Sequence, residues 1–288
     1  MAYRTILVHV DDSERSTERI ALAAALARRS QAHLIGVAPT GVSRFLYPEM
    51  PSEQNDPTLA LHLGFLREQA HAALAGFTRQ CEHGDGAAAL SFEGRVIDDE
   101  AGGGICLHGR TADLIVLGQA DPDGASLLAD LPAHVVLHAG RPVLLTPFTG
   151  WSAPVGSRVL LSWDASREAA RALQLSLPLL RTAEQVHIAV FDTPSSGHVL
   201  ADTTAADPRP YLARHGIDAQ LTVRVVDGRR GPHRRQGVGD ALLSLAADVS
   251  ADLLVMGAYG HSRMRETILG GVTRTVFEAM TIPVLMAH

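Results

Sequence analysis

Short apolar runs recur along the chain, separated by longer stretches in which Ala and Leu return at helical spacing. In the first half they fall at residues 5–10, 33–38, 88–93, 114–117 and 143–146. In the second half they fall at 158–162, 186–191, 220–226, 253–256 and 284–287. These runs are apolar at both alternating sets of positions, so they predict strands buried on both faces, which is the pattern of parallel strands joined by helical crossovers. Helices are predicted over 14–29 and 167–181, with Ser13 and Ser166 as their N-caps, and over 58–80. Residues 39–57 hold four prolines and little periodicity, which predicts a long surface connection.

The chain says nearly the same thing twice. Arg4-Thr-Ile-Leu-Val-His-Val-Asp-Asp-Ser13 lines up with Arg158-Val-Leu-Leu-Ser-Trp-Asp-Ala-Ser166, each an apolar run ending in Asp-x-Ser before an Ala-rich helix. Ala112-Asp-Leu-Ile-Val-Leu-Gly118 matches Ala251-Asp-Leu-Leu-Val-Met-Gly257, and Arg141-Pro-Val-Leu-Leu matches Ile282-Pro-Val-Leu-Met. The offsets differ by loop insertions and deletions, so the sequence reads as a duplicated domain, 1–149 and 156–288, joined by a Gly- and Pro-containing linker. Two domains of that size fit a chain of 288 residues.

Candidate chemistry gathers after the run at 253–256. Gly257 and Gly260 allow a sharp turn, and Gly270 and Gly271 open the next helix. Unpaired N–H groups and the positive dipole end at that helix start favour an anion, such as a phosphate. The spacing is neither that of a P-loop nor that of a dinucleotide Gly-x-Gly-x-x-Gly. Tight turns and close helix–sheet packing are the structural reading of the same glycines.

The spacing resembles that of the universal stress protein family, whose nucleotide-binding members carry Gly-x2-Gly-x9-Gly followed by Ser or Thr. Gly257, Gly260 and Gly270 match; Gly271 stands where the hydroxyl residue is expected, with Thr273 nearby. The resemblance covers essentially the whole chain. It implies two tandem Rossmann-like α/β domains, each an open five-stranded parallel sheet of order 3-2-1-4-5, packed as a pseudo-dimer through the fifth strands, with a homodimer as a further arrangement. It implies an adenine nucleotide, ATP, ADP or AMP with or without Mg2+, in the C-terminal domain of a stress-response binding module. The residues so implicated are Asp164 and Val190 for base and ribose, and Gly257, Gly260, His261, Ser262, Arg263, Gly270, Gly271, Val272 and Thr273 around the phosphates. Asp164 equally reads as a turn residue whose carboxylate caps nearby N–H groups.

In the first half, Gly118-Gln-Ala-Asp121 and Ala129-Asp130 occupy the matching station. Carboxylates there repel phosphate, so that site is expected not to take ATP. His134 and His138 have the i, i+4 spacing of a metal pair but lack a third ligand, and Asp98-Asp99-Glu100 reads as helix-dipole partners. The basic run at 229–235 reads as a solvated loop or a contact for an acidic partner.

A net charge of −6 argues against nucleic acid or anionic membrane as partner. Cys81 and Cys106 form no metal or redox spacing, and no apolar run is long enough to span a bilayer, so a cytoplasmic protein is expected. No Ser–His–Asp context appears, which leaves weak ATP hydrolysis, an AMP-forming enzyme and a nucleotide-free partner-binding protein as alternatives.

Overall fold

The computed structural model describes residues 2–42, 57–83, 89–120, 130–151, 154–192, 207–226, 237–259 and 271–288. The chain separates into two units, Ala2–Phe148 and Thr149–His288. The first contains β1 (Thr5–His9), α1 (Ser16–Ser30), β2 (His33–Pro39), α2 (Pro57–His83), β3 (Ser91–Ile97), α3 (Ala101–Gly109), β4 (Leu114–Gly118), α4 (Leu131–His138) and β5 (Val143–Thr146). The second contains β6 (Arg158–Ser162), α5 (Arg167–Leu180), β7 (Gln185–Asp192), α6 (Arg209–Arg214), β8 (Gln220–Val225), α7 (Val238–Asp248), β9 (Leu253–Gly257), α8 (Gly271–Ala279) and β10 (Val284–Ala287).

Strands of the first unit run in the order β3-β2-β1-β4-β5, and those of the second β8-β7-β6-β9-β10. Every pairing within a unit is parallel. The crossing from one side of the first strand to the other leaves a crevice at the strands' carboxyl ends in each unit. Ile6, Leu7, Val8, Leu114, Ile115 and Val116 are fully buried, as are Val159, Leu160, Leu161, Leu253, Leu254 and Val255. Each such side chain contributes about 1.5–3 kcal/mol on burial.

The repeated Ala-Asp-Leu station has a specific structural task. Asp113 accepts from the N–H groups of Arg4 and Thr5 at 2.7 and 3.0 Å. Asp252 accepts from Gly156, Ser157 and Arg158 at 2.7, 3.1 and 2.9 Å. A carboxylate ahead of each fourth strand thus fixes where each first strand starts, through charge-assisted bonds.

Two details differ from the pattern-based reading. The third strand lies at Ser91–Ile97 rather than 88–93, because its register is set by β2, with His33 opposite Ser91 and Pro39 opposite Ile97. As an edge strand it is only half covered, so Glu93 and Arg95 sit within it and mask its apolar signal. Ser13 does not cap α1: the N-cap is Arg15, and the Ser13 hydroxyl instead donates to Asp11 at 2.5 Å. Ser166 does cap α5, accepting from the Ala169 N–H at 3.1 Å.

Candidate functional site

In the second unit, the carboxyl ends of β6, β7 and β9 enclose a cavity of about 170 Å³. Helix starts point into it from three sides: Ser166 precedes α5, Val238 opens α7, and Val272 lies in the first turn of α8. Parallel β-α connections force this, since each helix begins where a strand ends. The dipoles therefore converge, and the cavity favours negative charge. Close packing at Gly239, where a Cβ would lie 2.6 Å from Thr275 Cβ, brings α7 and α8 together.

Asp164 lies on the cavity wall at the end of β6. Its Oδ1 accepts from the Ser166 N–H at 3.0 Å, across Ala165 at φ 59°. The carboxylate thus shapes the turn, and the residue also lines the cavity. Val190 is buried in β7, and it is its neighbour Phe191 that lines the cavity.

Gly257 ends β9 and also lines the cavity, but its backbone is not left-handed. The structure gives its glycine a different reason: a Cβ there would lie 2.6 Å from Ala169 N and from Glu168 C. The start of α5 presses on the end of β9. Among the described residues of this turn, the left-handed one is Tyr259, at φ 61°. A bulky residue held at positive φ is strained, and such strain concentrates at functional sites. Its N–H donates to Thr273 Oγ1 at 3.4 Å, and its ring meets that of His288 edge-on with centroids 5.9 Å apart.

Thr273 is buried and lines the cavity, and its hydroxyl can donate as well as accept. Gly271 is the first residue of α8, without a left-handed φ, and a Cβ there meets nothing within 4 Å among the described residues. Gly260, His261, Ser262, Arg263 and Gly270 lie outside the described residues.

Sequence reasoning missed the rings of this cavity. The chain has only two Trp, four Tyr and seven Phe, yet Trp163, Tyr259 and Phe191 all line this one space. Single aromatic residues at the ends of separate strands carry no periodic signal. Their placement at the ends of apolar runs is the hint that the sequence offers.

The corresponding station of the first unit is built differently. By the 153-residue offset that relates Asp11 to Asp164, Arg19 corresponds to Ala172. Arg19 is buried, and its guanidinium donates to Asp11 Oδ1 at 2.7 Å and to the His9 carbonyl at 2.9 Å. A Cβ on Gly118 would lie 2.7 Å from Arg19 Nη1, so the guanidinium sits against the end of β4. Burial alone would raise the Asp11 carboxyl, but Arg19 and the hydrogen bonds from Ser13 and Arg19 outweigh it and hold the group well below the usual carboxylate range. His9 is pushed down to about 4 by burial, with Arg19 opposing the pull of Asp11. The imidazole therefore stays neutral at pH 7, and its 3.4 Å approach to Asp11 is the contact of a neutral ring rather than an ion pair.

Asp130 stands at the N-cap of α4 without a capping bond, while Asp121 and Ala129 lie outside the described residues. His134 and His138 stack with centroids 4.4 Å apart, and His138 Nδ1 bonds the His134 carbonyl. Glu100 caps α3 by accepting from Gly102 and Gly103, the dipole role read for the acidic run. Burial pushes both thiols, Cys81 and Cys106, up to about 11, which makes them poor nucleophiles. The basic run at 229–235 lies outside the described residues. Among the described residues no three His, Cys, Asp or Glu are grouped to hold a metal, and no helix is long and apolar enough to cross a membrane.

Comparison with known proteins agrees with the duplicated pattern. The model of the universal stress protein family matches twice, at residues 2–147 and 157–288. A curated relative, universal stress protein Slr1230 of Synechocystis sp., is 26% identical over 178 residues, or 60% of this chain and 57% of the relative; the chain thus matches little more than half of that protein's length. A universal stress protein from Archaeoglobus fulgidus superposes with a TM-score of 0.71 at 18% identity, covering 98% of this chain and 97% of its own. The protein PA1789 of Pseudomonas aeruginosa, described as functionally unknown, gives 0.60 at 19% identity, covering 99% and 92%. At those identities the superpositions show the fold, and the two family matches show the rest: the chain belongs to the universal stress protein family, with one family domain in each half.

Proposed function

We propose that the second unit binds one adenine nucleotide and that the chain serves as a nucleotide-dependent binding module in a stress response. The observation that carries this reading is the convergence of three helix starts on a cavity with three aromatic walls. Rings supply faces for a planar base, and helix starts supply N–H groups and positive potential for phosphate. Asp164 would hold the ribose or the base edge, and Gly271, Val272 and Thr273 the phosphates. The cavity of about 170 Å³ is below the roughly 300 Å³ at which small-molecule sites usually begin, so it fits the base rather than a whole nucleotide. A bound nucleotide brings its own negative charge, and with Mg2+ part of that charge is neutralised. The protein's share is to orient the base, exclude water from it and present backbone donors to the phosphates.

The first unit is proposed not to take ATP, because Arg19 occupies the space beside Asp11 and Gly118. Calorimetric titration of ATP into the purified chain should give a stoichiometry near one, and Gly260→Asp should abolish binding while the protein still folds. Two equivalent sites, or full binding by the Gly260→Asp variant, would sink the reading.

A further inference from the structure

A second crevice, of about 200 Å³, lies in the first unit between the ends of β1 and β2 and the helices α2 and α3. Thr40 lines it, is 6% exposed, and its hydroxyl has no hydrogen-bond partner among the described residues. A buried hydroxyl left unpaired is costly, and in a native protein it calls for an explanation. We propose that this crevice is a ligand site for a small organic cation, a primary ammonium on an apolar body.

The walls set that class. Ala38, Ala70 and Ala73 present small apolar faces that leave room for a compact hydrocarbon body. Around the rim the carboxylate of Asp12 accepts hydrogen bonds, and the Thr40 hydroxyl and the Gln69 amide can accept as well as donate. His9 lines the crevice as well, with its Nδ1 3.4 Å from Asp11 Oδ2. Burial keeps that imidazole neutral, so it does not repel a cation.

Charge points the same way. Asp11 is balanced by Arg19, Asp12 adds a negative charge, and no Lys or Arg is among the described residues that line the crevice. An anion would meet carboxylates with no lining cation to hold it. An ammonium group has three donors for the acceptors present, and the site is open enough for it to keep part of its hydration.

Benzylamine is the probe, titrated into the full chain by calorimetry, with benzyl alcohol as its uncharged counterpart and ATP as competitor. We expect saturable binding of one benzylamine per chain, at least roughly tenfold weaker binding of benzyl alcohol, and no displacement by ATP. Thr40→Val should weaken benzylamine about tenfold without lowering the thermal midpoint, since it removes an unpaired hydroxyl. Ala73→Phe, which fills the crevice and leaves the hydroxyl in place, should abolish binding and covers the case in which the first variant does not fold. No saturable binding, equal affinity for the alcohol, displacement by ATP, or unchanged affinity in either folded variant would overturn the site. Benzylamine binding by a chain that ignores ATP would remove the nucleotide reading and leave this one standing.

Discussion

Gly271→Ser restores the hydroxyl that the glycine motif lacks. The position is the first residue of α8, solvent-exposed, outside the left-handed region, and an added Cβ meets nothing within 4 Å among the described residues. A serine side chain is therefore accommodated with the backbone unchanged. Its hydroxyl would donate to a phosphate oxygen, and a hydrogen bond to a charged group contributes about 1.5–3 kcal/mol. That corresponds to roughly ten- to a hundredfold in affinity. Restricting the backbone also has an effect, because glycine loses more conformational freedom than other residues on ordering. Gly271→Ala isolates that part, having the Cβ but no hydroxyl. Titration calorimetry with ATP on parent, Ala and Ser variants should show Ser at least about tenfold tighter than parent, and Ala within about twofold of it. Equal tightening by Ala and Ser would assign the gain to backbone restriction. No gain by Ser would mean that no phosphate lies at the start of α8.

Gly257→Ala should destabilise the second unit by about 1–3 kcal/mol, because the new methyl would meet backbone atoms of Glu168 and Ala169 at 2.6 Å, which cannot rotate away; a urea midpoint equal to the parent's would refute the packing role. Arg19→Met should cost on the order of 3 kcal/mol, since it leaves the Asp11 carboxylate and the His9 carbonyl without their buried partner; a stable variant by urea unfolding would show the network to be dispensable. His9 has a folded value of about 4 against 6.5 unfolded, so the unfolded chain binds more protons between those values. Stability should hold above pH 6.5 and fall by about 3 kcal/mol as pH drops to 4, with the Asp11 contribution lost at still lower pH. A His9→Asn variant should lack the first segment of that decline, and an unchanged profile would count against the buried neutral imidazole.

The sequence by itself determined the duplication and the strands, with burial on both faces for all but β3 and β8, whose residues are mostly half-buried or exposed. Burial on both faces shows in runs such as Leu253-Leu254-Val255 as unbroken apolarity, because each residue reports its own local surroundings. It also pointed to Gly257 and Gly271, and to Asp164 and the Ser166 cap, which act within a few residues of themselves. Tertiary structure decided what those positions are for. Gly257 is glycine because α5 presses on the end of β9, and that contact spans nearly ninety residues of chain. Trp163, Phe191 and Tyr259 come to share one cavity, and Arg19 comes to lie against Gly118, only because parallel crossovers carry distant strand ends to the same edge. A pattern along the chain records which side of an element is buried. Which side chains meet there depends on strand order and register, and no single stretch of sequence holds both.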